Sequence, residues 1–102
     1  MRKTQEKVDR WIKTAGGYWE PRDVMLQLQE ECGELAREVN HRFGPKRKKK
    51  GESVSSIDKE LGDILFTLSC LANPLQINLE KTLLDALRKY SRRDRNRYGK
   101  RP

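Results

Sequence analysis

Glu30, Glu31, Glu34 and Glu38 fall within nine residues, and a second acidic group, Asp58, Glu60 and Asp63, follows further along the chain. Carboxylates bind cations and accept protons, so their spacing is the first thing to weigh. A helix advances about 100° per residue, which puts Glu31, Glu34 and Glu38 within a sector of roughly 60°. That sector adjoins an expected buried stripe of Val24, Leu28, Cys32, Leu35 and Val39. The second group repeats the arrangement. Ile57, Leu61, Ile64, Leu65, Leu68 and Leu71 make a stripe, with Glu60 at its edge and Asp63 one step further round. Two helices packed through these stripes would bring Glu31, Glu34, Glu60 and Asp63 into one cleft. Like charges held close raise one another's pKa, and a hard divalent cation resolves the conflict. Oxygen-only ligation suits Mg²⁺, or Mn²⁺ in its place, better than zinc. A solvated Glu-rich face is the competing reading, because such pairs also follow from helix propensity. Spacing alone leaves both open.

Glu38-Val39-Asn40-His41 offers a different metal reading, the ExxH pattern of di-iron carboxylate bundles. It occurs once, and His41 sits in what reads as the last turn before Gly44-Pro45, where the helix dipole favours an ordinary surface histidine. A dimer would supply a second copy. Cys32 and Cys70 form no CxxC pair and read as small core side chains, with a disulfide or zinc site as the weaker alternative.

The elements that must position the acids are helical, since apolar residues recur at three and four. A first helix is expected from about Thr4 to Lys13, ending before Ala15-Gly16-Gly17. The second starts at Pro21, a favourable first-turn residue, with Asp23 complementing the dipole, and runs to about Arg42. Residues 44–55, rich in Lys, Gly and Ser, read as a basic mobile loop. A third helix is expected from about Ser56 to Leu71, with Ser55 and Asp58 resembling a capping box. The fourth runs from Asn78 through Tyr90 into a basic tail, residues 95–102. The expected fold is all-α, a single four-helix-type bundle over residues 1–102.

The chain is short and polar: 102 residues, 34% hydrophobic, 37% charged. A core of that size is thin, so association with further copies is the expected way to complete it. No apolar run approaches the ~18–20 residues that span a bilayer, and the N-terminal segment lacks a signal-like apolar stretch, so a cytoplasmic protein without membrane contact is expected. The formal net charge is +8, concentrated in Lys46 to Lys50 and in the basic residues from Arg88 to Arg101. Those blocks could contact nucleic-acid phosphates. A nucleic-acid-binding helical protein is therefore the rival, but it leaves the acidic centre without a role, since carboxylates repel phosphate unless a cation intervenes.

Glu30-Glu31-Cys32-Gly33-Glu34-Leu35, with Glu60-Leu61-Gly62-Asp63 beginning after the 25 residues that follow Glu34, resembles the EExxE…ExxD signature of MazG-type nucleoside triphosphate pyrophosphohydrolases. Pro21-Arg22 through Ala36, Glu60 through Leu65, and Lys89-Tyr90 with Arg93-Asp94 are similar to the short single-domain members of that family. The resemblance spans roughly residues 5–98. It implies an all-α dimer or tetramer that hydrolyses (d)NTPs to the monophosphate and pyrophosphate with Mg²⁺. By position, Glu31, Glu34, Glu60 and Asp63 would be the Mg²⁺ ligands and the catalytic carboxylates, and Glu30 a helper. Lys89 and Arg93, one helical turn apart, would face the triphosphate. Ser91 stands where many relatives carry another polar residue, often Asn.

Base recognition falls to the aromatics near the start of the second helix. Trp19 precedes Pro21 at a place where it could overhang the acidic cleft and stack on a base, with Trp11 and Tyr18 near in sequence. The alternative is an aromatic buried between helices.

Overall fold

The computed structural model describes residues 1–44 and 56–98, and these form four α-helices with no strand among the described residues. They are α1 (Arg2–Thr14), α2 (Pro21–Phe43), α3 (Ile57–Ala72) and α4 (Leu79–Tyr98). Each lies within a few residues of its expected span, except that α4 continues to Tyr98, into the segment expected as tail. Lys46 to Lys50 and the end of the tail lie outside the described residues.

Local chemistry sets the helix ends. α1 stops where the Ala15 N–H reaches back to the Trp11 and Ile12 carbonyls and the Gly17 N–H bonds Ile12 at 2.9 Å. Gly16 and Gly17 take φ of +113° and +95°, a region that side chains disfavour, and so turn the chain sharply towards α2. Pro21 opens α2 and Asp23 lies in its first turn. At the other end a Cβ on Gly44 would sit 2.6 Å from the Asn40 carbonyl oxygen, so only glycine closes that helix without a shift. Ser56, not Ser55, is the residue preceding α3, and its side chain bonds Asp58, which holds that carboxyl below its ordinary range. Asn78 caps α4 by accepting from the Lys81 N–H at 3.1 Å.

The main interface is between α2 and α3, with α1 packed across α3 and the root of α4 tied to α1. The face that α2 and α3 turn to each other departs from the expected stripes. Val24 is buried, but Cys32 and Val39 of the α2 stripe and Leu61 and Leu65 of the α3 stripe are exposed. In their place Glu31, Glu38, Glu60 and Thr67 are buried. Cys32 is thus not a core residue, and both cysteines are free. Glu31 and Glu60 are buried where they were expected only to border the stripes, while Leu28, Leu35, Ile57, Ile64, Leu68 and Leu71 of those stripes are half-buried. Much of the apolar surface that the stripes should have buried faces outward.

Among the described residues the fully buried apolar side chains are few: Ile12, Val24 and Ala72. Leu83, Leu84, Leu87 and Tyr90 all stand exposed along α4. The radius of gyration is 17.3 Å, against about 13 Å for a compact fold of 100 residues. The helices are open to one another on the side where α4 leaves its contact with α1.

Candidate active site

The α2–α3 pairing brings the sequence-predicted acids together. Glu31, Glu60 and Asp63 place carboxylate oxygens within 4.8 Å of one another. Glu31 and Glu60 are buried, at 8% and 5% exposure, whereas Asp63 faces solvent. Gln27, one turn before Glu31 on α2, donates from Nε2 to Glu31 Oε1 at 2.6 Å. This leaves Glu31 Oε2 shielded and unpartnered, and Glu60 Oε2 is in the same condition. Glu34 is exposed and hydrogen-bonds to Glu60, and that bond, with the charges of Glu31, Glu60 and Asp63, pushes its pKa up. Burying an unpaired carboxylate oxygen is costly. Two such oxygens, in a cluster of like charge with only oxygen donors, fit a hard divalent cation such as Mg²⁺ or Mn²⁺.

The ExxH alternative finds no metal group among the described residues of one chain. Among the described residues the group able to hold a metal is Glu31, Glu60 and Asp63, and neither Glu38 nor His41 joins it. His41 Nδ1 is shielded and unbonded, but among the described residues it belongs to no group of three or more metal-binding side chains.

Beside the acids a cleft of about 420 Å³ opens between α1, the α1–α2 turn and the α2–α3 pair. Trp11, Tyr18, Trp19 and Phe66 line it, and Glu31 and Asp63 form part of its wall. Trp11 and Phe66 meet edge to face with ring centroids 5.8 Å apart. Trp19 is 64% exposed, so its ring is an open surface and not a core filler. Tyr18 is held by its hydroxyl, which donates to Asp9 Oδ1 at 2.6 Å and accepts from Asn73 Nδ2 at 3.0 Å. Burial, with the Asp9 bond, pushes its pKa up to about 12.

Sequence reasoning placed Trp19 at this cleft and missed Phe66, Gln27 and Cys70. The signal for Phe66 was helical spacing, since it follows Asp63 by three, and Gln27 precedes Glu31 by four. Lys89 and Arg93 are not brought to the acids within one chain. They lie on an exposed basic stretch of α4 with Arg88 and Arg92, and their cationic ends flank the Tyr90 ring, each 4.9 Å from its centroid.

Residues 20–98 match the family model of the MazG nucleotide pyrophosphohydrolase domain. The chain belongs to this family. It is 48% identical over 99 residues to YpjD of Bacillus subtilis (strain 168), an uncharacterized protein, covering 96% of this chain and 89% of that one. The crystal structure of YpjD superposes with a TM-score of 0.76 over 86% of this chain and 91% of the other. The Bacillus-conserved MazG protein, a nucleotide pyrophosphohydrolase, is 43% identical with a TM-score of 0.73, over 86% and 85% of the two chains. The four-helix arrangement described above is thus a MazG fold, and the acidic cluster and aromatic cleft lie within the matched segment or, for Trp11, Tyr18 and Trp19, just before it.

Proposed function

We propose that the chain is a Mg²⁺-dependent nucleoside triphosphate pyrophosphohydrolase, converting (d)NTP and water to (d)NMP and pyrophosphate in cytoplasmic nucleotide-pool housekeeping. The observation that carries this reading is the meeting of the acidic cluster and the aromatic cleft in one opening. The two halves suit the two halves of a nucleotide. Aromatic faces take the base, and the acids stand where the phosphates would then lie.

Glu31, Glu60 and Asp63 hold the cation, with Glu34 adjoining through Glu60. A divalent ion there supplies charge neutralisation on phosphate oxygens and a water more acidic than bulk. Gln27 holds the Glu31 carboxylate through its 2.6 Å bond to Oε1 and leaves Oε2 without a partner. A carboxylate of the cluster takes the proton of the attacking water. The exposed Trp19 ring stacks on the base and so holds the nucleotide in the opening.

Lys89 and Arg93 stabilise the departing pyrophosphate, and they reach it from a second copy of the chain. Two observations support association. The root of α4 packs on α1, and its basic stretch does not line the acidic opening. Leu61 and Leu65 on α3 and Leu83, Leu84 and Leu87 on α4 are exposed apolar surface that a homodimer or homotetramer buries.

The test is pyrophosphate release from a panel of NTPs and dNTPs with Mg²⁺, Mn²⁺ or chelator. Metal-dependent release of pyrophosphate and monophosphate is expected. Release of single phosphate refutes attack at the α-phosphorus. Loss of nothing but DNA binding on removing the basic blocks, with no turnover of any nucleotide, would favour the nucleic-acid reading instead.

A further inference from the structure

A chain of half-buried hydrogen bonds runs from the cleft wall to the root of α4, and the acidic cluster has no part in it. The Leu79 N–H donates to Gln5 Oε1 at 2.8 Å, and Gln5 Nε2 donates to Asn73 Oδ1 at 3.0 Å and to the Ile77 carbonyl at 2.9 Å. Asn73 Nδ2 donates to the Tyr18 hydroxyl at 3.0 Å and to the Gln5 carbonyl at 3.1 Å. Tyr18 donates in turn to Asp9 Oδ1 at 2.6 Å, while Asp9 Oδ2 is paired with Lys13 at 2.9 Å.

Counting valences shows how constrained this chain is. Both amide protons of Gln5 and both of Asn73 are used, and the single proton of Tyr18 goes to a carboxylate that can only accept. The bonds from Leu79 through Gln5, Asn73 and Tyr18 therefore all donate towards Asp9, while the second protons of Gln5 and Asn73 go back to the Ile77 and Gln5 carbonyls. Gln5 is 7% exposed, so breaking the chain would strand a buried amide. The Tyr18 hydroxyl has its donor committed to Asp9 and an acceptor site committed to Asn73. What Tyr18 presents to the cleft is its ring.

We propose that Gln5, Asn73 and Asp9 are positioning residues for nucleotide binding: by fixing the Tyr18 hydroxyl they hold its ring as a rigid wall of the cleft, set in one register with the root of α4. This rests on the cleft being the base site. Tyr18 then contributes shape, not hydrogen-bonded readout, and its loss weakens all bases alike.

Tyr18→Phe keeps the ring and removes the anchor. Nucleotide affinity is read from quenching of Trp11 and Trp19 fluorescence, which needs no turnover. Cation affinity at the acidic cluster is read separately with Mn²⁺ alone. For Tyr18→Phe and Asp9→Ala, nucleotide Kd should rise about tenfold, the scale of losing a hydrogen bond to a charged group. Mn²⁺ affinity should stay within about twofold, which also reports that the variant is folded. Asp9→Asn, which keeps an acceptor oxygen, should recover most of the affinity. If Tyr18→Phe leaves nucleotide affinity at the wild-type value, or Mn²⁺ affinity falls in proportion with it, the positioning role is wrong. If no nucleotide quenches the wild-type protein, the base-cleft reading fails and this proposal falls with it.

Discussion

Glu60→Gln removes one negative charge from the centre of the acidic cluster while preserving the side-chain shape. Glu60 has oxygens within 4.8 Å of those of Glu31 and Asp63. Two unit charges at that distance repel by about 1 kcal/mol in water and about 3.5 kcal/mol at the effective dielectric of a protein surface. The Glu31–Glu60 pair is buried and lies towards the upper figure, whereas Asp63 is open to solvent and lies towards the lower. The two repulsions together come to about 4 kcal/mol, and the weakened Glu34–Glu60 hydrogen bond takes back about 1–3 of it, so without metal the substitution should stabilise the fold by about 1–3 kcal/mol. For a domain of this size each kcal/mol moves Tm by roughly 4–8 °C.

Metal reverses the order. A cation at a hundred times its Kd adds about 2.7 kcal/mol to the wild-type protein, and a variant short of one carboxylate should gain much less. Thermal unfolding in EDTA and in Mg²⁺, at one protein concentration, measures both effects, and pyrophosphate release measures the catalytic one. The expected pattern is a raised Tm in EDTA, a lost Mg²⁺ increment, and at least about 100-fold lower kcat/KM. A Glu60→Gln protein that melts earlier in EDTA, or keeps its Mg²⁺ increment and its turnover, would refute the metal-site reasoning.

Other outcomes follow from the same geometry. Trp19→Ala should raise KM for NTPs about tenfold with kcat nearly retained, since one base stack is worth about 1–3 kcal/mol, and steady-state kinetics would read the split. If Lys89 and Arg93 serve a neighbour's acids, mixing Glu60→Gln with a Lys89→Ala, Arg93→Ala double variant should restore about a quarter of wild-type activity in randomly exchanged dimers. No recovery after subunit exchange would place each site within one chain. Leu83→Glu with Leu87→Glu should shift the sedimentation coefficient towards that of a single chain, because both side chains are exposed on α4. The bonds from Tyr18 and Lys13 hold Asp9 below the ordinary carboxylate range. A depressed folded pKa supports the fold above the unfolded value near 3.8 and loses that support as pH falls through the folded one. The Tm difference between wild type and Asp9→Ala should therefore be flat from pH 7 to about 4 and shrink below it.

What was local in cause could be read from the chain. Pro21, Gly16-Gly17, Gly44 and Asn78 act on their own few backbone atoms, so three of the helices were bounded to within a residue or two and the fourth was started correctly. The two acidic groups could also be paired in advance. Helical spacing puts Glu31 with Glu34 and Glu60 with Asp63 on single faces, whatever the helices pack against. Burial was a different matter. Hydropathy expected Leu61, Leu65, Val39 and Cys32 in the buried stripes, but these four are exposed while Glu31, Glu38 and Glu60 are buried; of the other stripe residues Val24 is buried and the rest are half-buried. An apolar stripe states that a face prefers to leave water, and it does not name the surface that will cover it. The tertiary structure alone decided that Glu31 and Glu60 are buried, that α4 keeps its basic stretch apart from them, and that Asp9, Tyr18, Asn73 and Gln5 join. Those contacts link residues up to 74 positions apart, and no periodicity along the chain encodes a bond between Gln5 and Leu79.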